Sequence, residues 1–291
     1  MNLQMLSLAE IQSLILKSYK KLLLRPFLRA ITDYEMIKPN DTISICMSGG
    51  KDSFVMALLF KEIYKHQKFN FNINFICMDP GYSIEHLKLI QSNANHLEIP
   101  LVIHRSNYFA VIEKLSKENP CYLCARMRRG FLYNMGMSLG SNKIALAHHF
   151  DDFIETTLLN IFYGGSFKTM VPKIKSENFK SMELIRPMMY IRESDILKFT
   201  KKINLKCLDC ACSVSALKVS SKRHEIKTLL ATLRQHDSCI DQSIFNSALN
   251  VNLDACMGYI LNNTKHDFKE IYQTNFNNRN NNDSCVLEDD N

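Results

Sequence analysis

Two kinds of segment are missing from this sequence of 291 residues, and each absence excludes a class of protein. No apolar run approaches the length that a helix needs to span a bilayer, so an integral membrane protein is not expected. The amino-terminal residues lack the basic stretch, apolar stretch and small-residue cleavage site that together mark a secretory signal. We therefore expect a soluble, cytoplasmic protein with no membrane association.

The ten cysteines are the most informative part of the composition. A chain without an export signal is not expected to build a disulfide framework, so some of these residues are expected to serve metal or sulfur chemistry. Hydrophobic residues make up 46% of the chain, which is enough to bury one large or two modest cores. The net charge of +7 permits a polyanionic partner but does not by itself indicate one.

Short apolar segments alternate with amphipathic segments through much of the chain. Strands are predicted over 43–47, 71–78, 100–104, 143–147 and 182–185, with helices between them. This alternation predicts an α/β fold, a Rossmann-like parallel sheet with helices on both faces. Ligands of such sheets bind beyond the carboxyl ends of the strands, so the residues that follow each strand are candidates for the site.

The segment after the first strand has the composition of an anion-binding turn. Its residues are Ser48, Gly49, Gly50, Lys51, Asp52 and Ser53. Two glycines let the backbone approach a ligand closely, and the free N–H groups of the helix start attract anions. Lys51 adds a positive charge, the serine hydroxyls add donors, and Asp52 can cap the helix or face a magnesium ion. The spacing is not that of a Walker A loop.

Polar groups are also predicted at the ends of two other strands. The second strand ends at Cys77 and Met78 beside the first strand, so backbone groups near these two residues are candidates for holding an adenine. The fourth strand is followed by two imidazoles and two carboxylates, those of His148, His149, Asp151 and Asp152. Such a set suits magnesium binding and contact with phosphates. Glu155, one turn later, either joins this set or is a solvated helix residue.

Two cysteine clusters have spacings typical of metal binding. Cys121 and Cys124 form a Cys-x-x-Cys pair at the start of a helix, and Cys207, Cys210 and Cys212 form the second cluster. Zinc held by two such pairs would indicate a non-catalytic RNA-binding protein. However, the two pairs lie much further apart than the roughly 15 to 20 residues of a zinc ribbon, which disfavours that alternative.

Basic residues concentrate in three places that we expect to face one side of the molecule. These are an amphipathic helix over 7–31, interrupted near Pro26, an arginine run at 126–129 and a segment at about 200–227 that includes Lys222, Arg223 and Lys227. Such patches predict contact with RNA, whereas solvated helix faces are the alternative.

The motifs occur in an order that resembles a known family. They are the turn at 48–53, Cys-x-x-Cys-x-Arg-x-Arg-Arg-Gly from Cys121, Ala-His-His-x-Asp-Asp from Ala147, Phe162-Tyr163-Gly164-Gly165, Arg186-Pro187 and the late cysteine cluster. The turn resembles the SGGxDS signature of the PP-loop ATP pyrophosphatases, which split ATP between its α and β phosphates. Together, from about residue 25 to about 256, the motifs resemble the TtcA family, the tRNA 2-thiocytidine synthases, which replace the C2 oxygen of cytidine 32 with sulfur.

The resemblance implies a role for each matching residue. The six residues of the turn would bind ATP and pyrophosphate, with Lys51 and Asp52 taking part in catalysis, and Asp151 or Asp152 would assist magnesium or the adenylation step. Cys121, Cys124 and Cys210 would hold a [4Fe-4S] cluster, with Cys212 and then Cys207 as alternatives for the third ligand. The substrate would be tRNA and the sulfur donor a cysteine desulfurase. We also expect a homodimer.

Two departures from the family leave part of this interpretation open. Ala147 stands where the family commonly has glycine, and the late cluster is followed by more residues than expected before Lys222. Another PP-loop enzyme, a lysidine synthase or a ribothymidine thiolase, is the alternative. The first needs no cysteines, and the second carries Cys-x-x-Cys pairs near its ends, which this chain lacks.

The motifs divide the chain into four predicted regions. They are an N-terminal basic helix (1–40), a PP-loop ATP pyrophosphatase domain (41–206), a C-terminal cysteine-cluster and basic helical region (207–267) and a disordered tail (268–291).

Overall fold

The computed structural model describes residues 5–105, 120–208, 220–270 and 272–273. The chain forms two compact units, Met1–Asp241 and Gln242–Asn291. Within the described residues, no helix is both long and apolar enough to cross a membrane.

The first unit is built on a six-stranded sheet with the strand order β3-β2-β1-β4-β6-β5. The strands are β1 (Thr42–Met47), β2 (Asn72–Asp79), β3 (Leu101–Arg105), β4 (Lys143–Ala145), β5 (Lys173–Lys175) and β6 (Glu183–Ile185). The pairs β1–β2, β2–β3, β1–β4 and β4–β6 are parallel, and β5–β6 is antiparallel. The predicted α/β fold with a mostly parallel sheet is confirmed.

Helices connect the strands and cover the sheet. They are α1 (Leu8–Leu16), α2 (Arg25–Asp33), α3 (Lys51–Lys65), α4 (Ile84–His96), α5 (Pro120–Ser138), α6 (Phe150–Gly164), α7 (Glu193–Lys202), α8 (Ser220–His236) and α9 (Ile240–Ser247). A parallel strand connection is right-handed, so α3, which leads from β1 to β2, and α5, which leads back across β1 to β4, lie on opposite faces.

The central strand β1 shows why both faces are covered. Its side chains alternate, and Cys46 joins a buried cluster with Leu132 and Met135 of α5. Ile43 and Ile45 point to the other face and are fully buried. On the α5 side a Cβ at Gly136 would lie only 3.4 Å from the Ser44 hydroxyl oxygen, so glycine lets this helix lie close to the sheet.

The amino-terminal segment differs in detail from the single interrupted helix that was predicted. A π-helical turn at Lys20–Leu24 separates α1 from α2, and Pro26 lies in the first turn of α2. A proline is tolerated there because the first N–H groups of a helix have no partner within it. The interruption therefore precedes Pro26, and the proline itself begins a helix.

Strand β5 was not predicted from the sequence. It contributes only Lys173, Ile174 and Lys175 at the edge of the sheet, beside β6. A short strand with lysines is typical of a sheet edge that avoids pairing with another chain.

The second unit contains a β-hairpin that was also not predicted. Strands β7 (Gly258–Leu261) and β8 (Thr264–Asp267) pair antiparallel. The two residues between them, Asn262 and Asn263, have φ angles of 50° and 62°, as a type I′ turn requires. The tail predicted to be disordered, 268–291, lies outside the described residues from position 274 onward.

Candidate active site

The turn between β1 and α3 has a backbone conformation that only glycine adopts without strain. Gly49 has a φ of +80°, and a Cβ there would lie 2.7 Å from Cδ1 of Ile90 and 3.0 Å from Cδ1 of Leu208. Gly50 begins α3 without a side-chain cap. The N–H groups of the first turn of α3 are therefore available to an anion at the positive end of the helix dipole.

The two serines of the turn shape its backbone. The buried hydroxyl of Ser53 donates to the carbonyl of Gly50 at 2.8 Å and accepts from the N–H of Ser48 at 3.2 Å. The hydroxyl of Ser48 accepts from the N–H of Gly50 at 3.4 Å. A buried hydroxyl must find partners, so Ser53 rigidifies the turn from within.

The charge of Lys51 is held between two carboxylates. Its Nζ lies 3.1 Å from Oδ2 of Asp52 and 3.0 Å from Oε1 of Glu193, at the start of α7. Burial opposes the charge of Lys51, but the two carboxylates outweigh burial and raise its pKa. Burial likewise opposes ionisation of Glu193, but Lys51 and then Lys227 lower its pKa to about 2. Glu193 was not predicted as a site residue.

Two buried polar atoms beside the turn lack hydrogen-bond partners. Among the described residues, Oδ1 of Asp52 and Nδ1 of His149 are buried and accept or donate no hydrogen bond. Oδ1 of Asp52 lies 3.8 Å from Nε2 of His149. Buried polar atoms in proteins are almost always paired, so these two atoms indicate a place where a ligand or ion completes the site.

The paired aspartates after β4 have different surroundings. The carboxylate of Asp151 accepts the backbone N–H of Glu193 at 2.7 Å and lies 3.0 Å from Arg234, so it fixes the start of α7. Asp152 accepts the backbone N–H of His149 at 3.0 Å, and its other oxygen lies 3.6 Å from Arg223. Asp152 therefore has the more available carboxylate of the two.

Helix α8 brings positive charge over the acidic residues of α6. Arg223 and Lys227 lie 3.4 Å and 3.6 Å from the carboxylate of Glu155, which is only 3% exposed. Burial raises the pKa of Glu155, against the two cations. Glu155 is therefore not a solvated helix residue, and it shares Arg223 with Asp152. The two cations, which we predicted to contact RNA, are engaged by carboxylates.

Comparisons with known proteins show which family the chain belongs to. Residues 18–212 match the model of the PP-loop domain. A tRNA-cytidine(32) 2-sulfurtransferase of Pelobacter propionicus is 35% identical over 225 residues, which cover 77% of this chain and 83% of the relative. The chain belongs to the tRNA-cytidine(32) 2-sulfurtransferase (TtcA) family of PP-loop enzymes.

A second relative agrees with this membership, and a solved structure shows the fold. A tRNA-cytidine(32) 2-sulfurtransferase of Geotalea uraniireducens is 32% identical over 225 residues, covering 77% of this chain and 88% of the relative. The solved structure of the U34-tRNA thiolase NcsA from Methanococcus maripaludis with its [4Fe-4S] cluster aligns with a TM-score of 0.67. It is 24% identical and covers 80% of this chain and 79% of that one, so it shows a shared fold.

Arg186, from the Arg186-Pro187 segment singled out in the sequence, contacts His148 beside the site. The Nε of Arg186 donates to Nδ1 of His148 at 3.3 Å. Burial lowers the pKa of His148 to about 4 and that of Arg186 to about 10. A neutral His148 with Nδ1 as acceptor carries its proton on Nε2.

The two residues predicted to lie near an adenine are at the end of β2. The β1–β2 ladder ends at the pair Met47 and Cys77, so Met78 is the first residue of β2 beyond it. Cys77 is fully buried, and burial raises the pKa of its thiol to about 12. The Cys77 side chain therefore packs as a small apolar group, and only backbone groups at this position can meet a nucleotide.

The structure describes the two cysteine clusters only in part. Cys121 and Cys124 lie in the first turn of α5, but their side chains, like Cys210 and Cys212, are outside the described part of the chain. Helix α5 passes β1 near its carboxy-terminal end, at Gly136, and runs antiparallel to the strands. Its first turn therefore lies toward the carboxyl edge of the sheet, the edge that carries Lys51.

The segment that contains the first cysteine of the second cluster contacts the turn directly. The N–H of Leu208 donates to the carbonyl of Gly49 at 3.1 Å, and Asn93 donates to the carbonyl of Lys206 at 2.6 Å. Cys207 lies within this anchored segment, and Cys210 follows Leu208 by two residues. Both cysteine motifs thus begin at the same edge of the sheet as the PP-loop turn.

We next consider which of the described side chains could hold a metal ion. No group of three or more His, Cys, Asp or Glu side chains in the described ranges is arranged to hold a metal ion. Magnesium in nucleotide sites needs only one or two carboxylates, because phosphates and waters supply the other oxygens. Asp52, with an unpartnered oxygen, and Asp152 fit that smaller requirement.

Proposed function

We propose that this chain catalyses the ATP-dependent thiolation of a tRNA cytidine, replacing its C2 oxygen with sulfur. The observation that carries the proposal is the uncapped start of α3, where Lys51 lies beside Asp52 and the buried Oδ1 of Asp52, which has no hydrogen-bond partner, lies 3.8 Å from Nε2 of His149 after β4. Relatives named tRNA-cytidine(32) 2-sulfurtransferase support the substrate, with position 32 as the expected base.

The chain's own groups suit the first half of the reaction. The N–H groups of α3 and the ammonium of Lys51 would bind the phosphates of ATP. Asp52 and Asp152 would hold Mg²⁺, and backbone groups near Met78 would contact the adenine. The cytidine O2 attacks the α-phosphorus, the bond to the β-phosphate oxygen breaks, and pyrophosphate leaves.

The second half replaces the activated oxygen. Sulfur at the oxidation level of sulfide attacks C2, and AMP leaves with the former cytidine oxygen. The anticipated ligands of a [4Fe-4S] cluster are Cys121, Cys124 and Cys210, and such a cluster, when bound, supplies a soft site for sulfur. A cysteine desulfurase as the sulfur source remains a prediction, and a thiol reductant would have to supply two electrons to convert its persulfide sulfur to sulfide. The homodimeric state also remains a prediction.

Mass analysis of tRNA nucleosides from cells with and without this chain tests the proposal. We expect 2-thiocytidine to disappear without the chain and to return with wild type, but not with Lys51→Ala or Cys124→Ala. Cys239→Ala, at an exposed cysteine outside both motifs, is the matched control and should restore the nucleoside. Unchanged 2-thiocytidine in cells without the chain would rule the function out.

The metal content after anaerobic purification separates the proposal from its alternatives. Iron and sulfide that depend on Cys124 support the cluster. One tightly bound zinc in a colourless protein would instead support a zinc-stabilised RNA-binding protein. A protein without bound metal that modifies tRNA would support a lysidine synthase.

A further inference from the structure

Helix α6 ends in aromatic residues that the core does not use. Phe162 is 56% exposed, Tyr163 is 43% exposed, and Phe167 in the following loop is 48% exposed. By contrast, Phe150 and Phe153 at the start of the same helix are nearly inaccessible to solvent. We call Phe162, Tyr163 and Phe167 the aromatic surface. Single exposed apolar residues are ordinary, but several adjacent ones usually mark a contact site.

Hydrogen bonds hold the loop after α6 against the helix. Gly165 ends α6 with a φ of +57°, and Asn160 donates to the carbonyl of Lys168 at 2.9 Å. The hydroxyl of Thr169 donates to the carbonyl of Phe153 at 3.2 Å. The loop therefore turns back along α6, from its end toward its start, and has a defined path.

The same loop reaches the candidate active site. Arg186 donates through Nη1 to the carbonyl of Val171 and through Nε to His148. Val171 is itself 45% exposed. The aromatic surface is thus connected, through residues 167–171, to the strand end that carries His148.

Positive charge lies beside these rings. The Nζ of Lys222 is 4.9 Å from the centre of the Tyr163 ring, and Lys168 is exposed next to Phe167. Glu225 accepts a hydrogen bond from the Tyr163 hydroxyl, which fixes that ring. Exposed rings interleaved with lysines are the combination that binds single-stranded nucleic acid, because bases stack on the rings and phosphates meet the cations.

We propose that the aromatic surface stacks unpaired nucleotides of the RNA substrate next to the base that enters the site. Phe162 and Phe167 supply the stacking faces, since Lys222 already lies over Tyr163. Lys168 and Lys222 face the phosphates. The identity of the RNA rests on the proposed function, but the stacking itself requires only an unpaired loop.

The absence of tryptophan from the chain allows a direct test. Phe162→Trp introduces a single tryptophan into the full-length protein. Its emission should be quenched by an anticodon-arm hairpin with an unpaired loop, and not by a fully paired RNA duplex. Phe69→Trp is the matched control, because Phe69 is 39% exposed but precedes β2 at the amino edge of the sheet.

Affinities distinguish stacking from other apolar contacts. Phe162→Ala and Phe162→Leu should each weaken hairpin binding at least about fivefold, whereas Phe162→Trp should retain it and ATP binding should not change. Hairpin binding by Phe162→Ala equal to that of wild type would overturn the proposal. Full binding by Phe162→Leu would also overturn it, since leucine provides an apolar contact without a stacking face.

The test separates this inference from the proposed function. If the wild type makes 2-thiocytidine, and Phe162→Ala binds the hairpin and thiolates tRNA as well as the wild type does, the stacking proposal is wrong and the proposed function is retained. If the wild type binds the hairpin through Phe162 but makes no 2-thiocytidine, the stacking proposal is retained and the proposed function is wrong.

Discussion

The Nζ of Lys51 lies 3.0 Å from Oε1 of Glu193, which joins the PP-loop turn to the first turn of α7. The other oxygen of Glu193 lies 3.3 Å from Lys227 of α8. A phosphate group that binds at the start of α3 competes with Glu193 for the charge of Lys51. Under the proposed function, Lys51 would therefore exchange Glu193 for a phosphate oxygen when a nucleotide binds.

We predict that Glu193→Gln tightens pyrophosphate binding by about two- to fivefold. The ion pair of Lys51 and Glu193 is partly buried, and we assign it a free energy of roughly 0.5–1 kcal/mol. Pyrophosphate must break this pair to bind Lys51 in the wild type, but not in the variant. Isothermal titration with magnesium pyrophosphate measures the change. Asp195→Asn is the control, because Asp195 lies in the same helical turn but pairs with Lys198 at 3.3 Å. Weaker binding by Glu193→Gln would show that Glu193 helps to hold the ligand instead.

We predict that Gly49→Ala destabilises the protein more than Gly140→Ala. Both glycines have a positive φ, +80° and +71°, so both variants incur the left-handed backbone cost of about 1–2 kcal/mol. Only at Gly49 does the new Cβ also meet Ile90 and Leu208, whereas no atom lies within 4 Å at Gly140. Denaturant unfolding should therefore show an additional loss of roughly 1 kcal/mol for Gly49→Ala. That variant should also lose nucleotide binding, and equal stabilities would contradict the packing argument.

We predict that the two adjacent aspartates separate into a structural and a functional residue. Asp151→Asn should lower the free energy of unfolding by about 1–3 kcal/mol, because a buried charged hydrogen-bond acceptor for Glu193 and Arg234 is neutralised. Asp152→Asn should change stability by less than about 1 kcal/mol, because asparagine can still accept from His149. It should nevertheless weaken magnesium-dependent ATP binding more than Asp151→Asn does. If Asp152→Asn lowered the free energy of unfolding more than Asp151→Asn, or weakened ATP binding less, the structural and functional roles of the two aspartates would have to be assigned differently.

We predict that His148 makes the protein less stable as the pH falls from about 6.5 to about 4. Its pKa is lowered from 6.5 to about 4 in the folded protein, mainly by burial, although nearby Asp152 opposes the shift. The unfolded chain therefore takes up this proton first, and stability that is complete above pH 6.5 is lost at a limiting slope of about 1.4 kcal/mol per pH unit. Thermal melts of wild type and His148→Gln between pH 7 and pH 5 isolate this contribution. Parallel stability profiles would show that His148 is protonated equally in both states.

Local patterns were sufficient to predict the parallel sheet and the turn at 48–53. Apolar periodicity and glycine spacing are properties of neighbouring residues, and they identify a strand, a turn and a helix without knowledge of the rest of the chain. Strand β5 was not predicted because it has only three residues, two of them lysines, which is too short for an apolar periodicity. The hairpin at 258–267 did have a signal, the adjacent Asn262 and Asn263, which favour a type I′ turn.

Long-range pairs could not be predicted in the same way. Glu193 is an ordinary acidic residue at a helix start until the fold brings it to Lys51, and nothing near it in the sequence marks that contact. Arg223 and Lys227 likewise belong to a basic segment, and only their contacts with Glu155 show that this charge is directed inward. Charge composition indicates what a segment can bind, whereas its partner is decided by packing.

The hydrogen bond from Leu208 to Gly49 has a mechanical consequence. It couples the peptide between Cys207 and Leu208, inside the second cysteine cluster, to the backbone of the PP-loop turn without an intervening side chain. Under the proposed function, a backbone change in the turn on nucleotide binding would be transmitted directly to this peptide, and so to the segment that carries the second cysteine cluster. Because the linkage is main chain to main chain, it tolerates many side-chain replacements at position 208 and breaks only when the backbone itself moves.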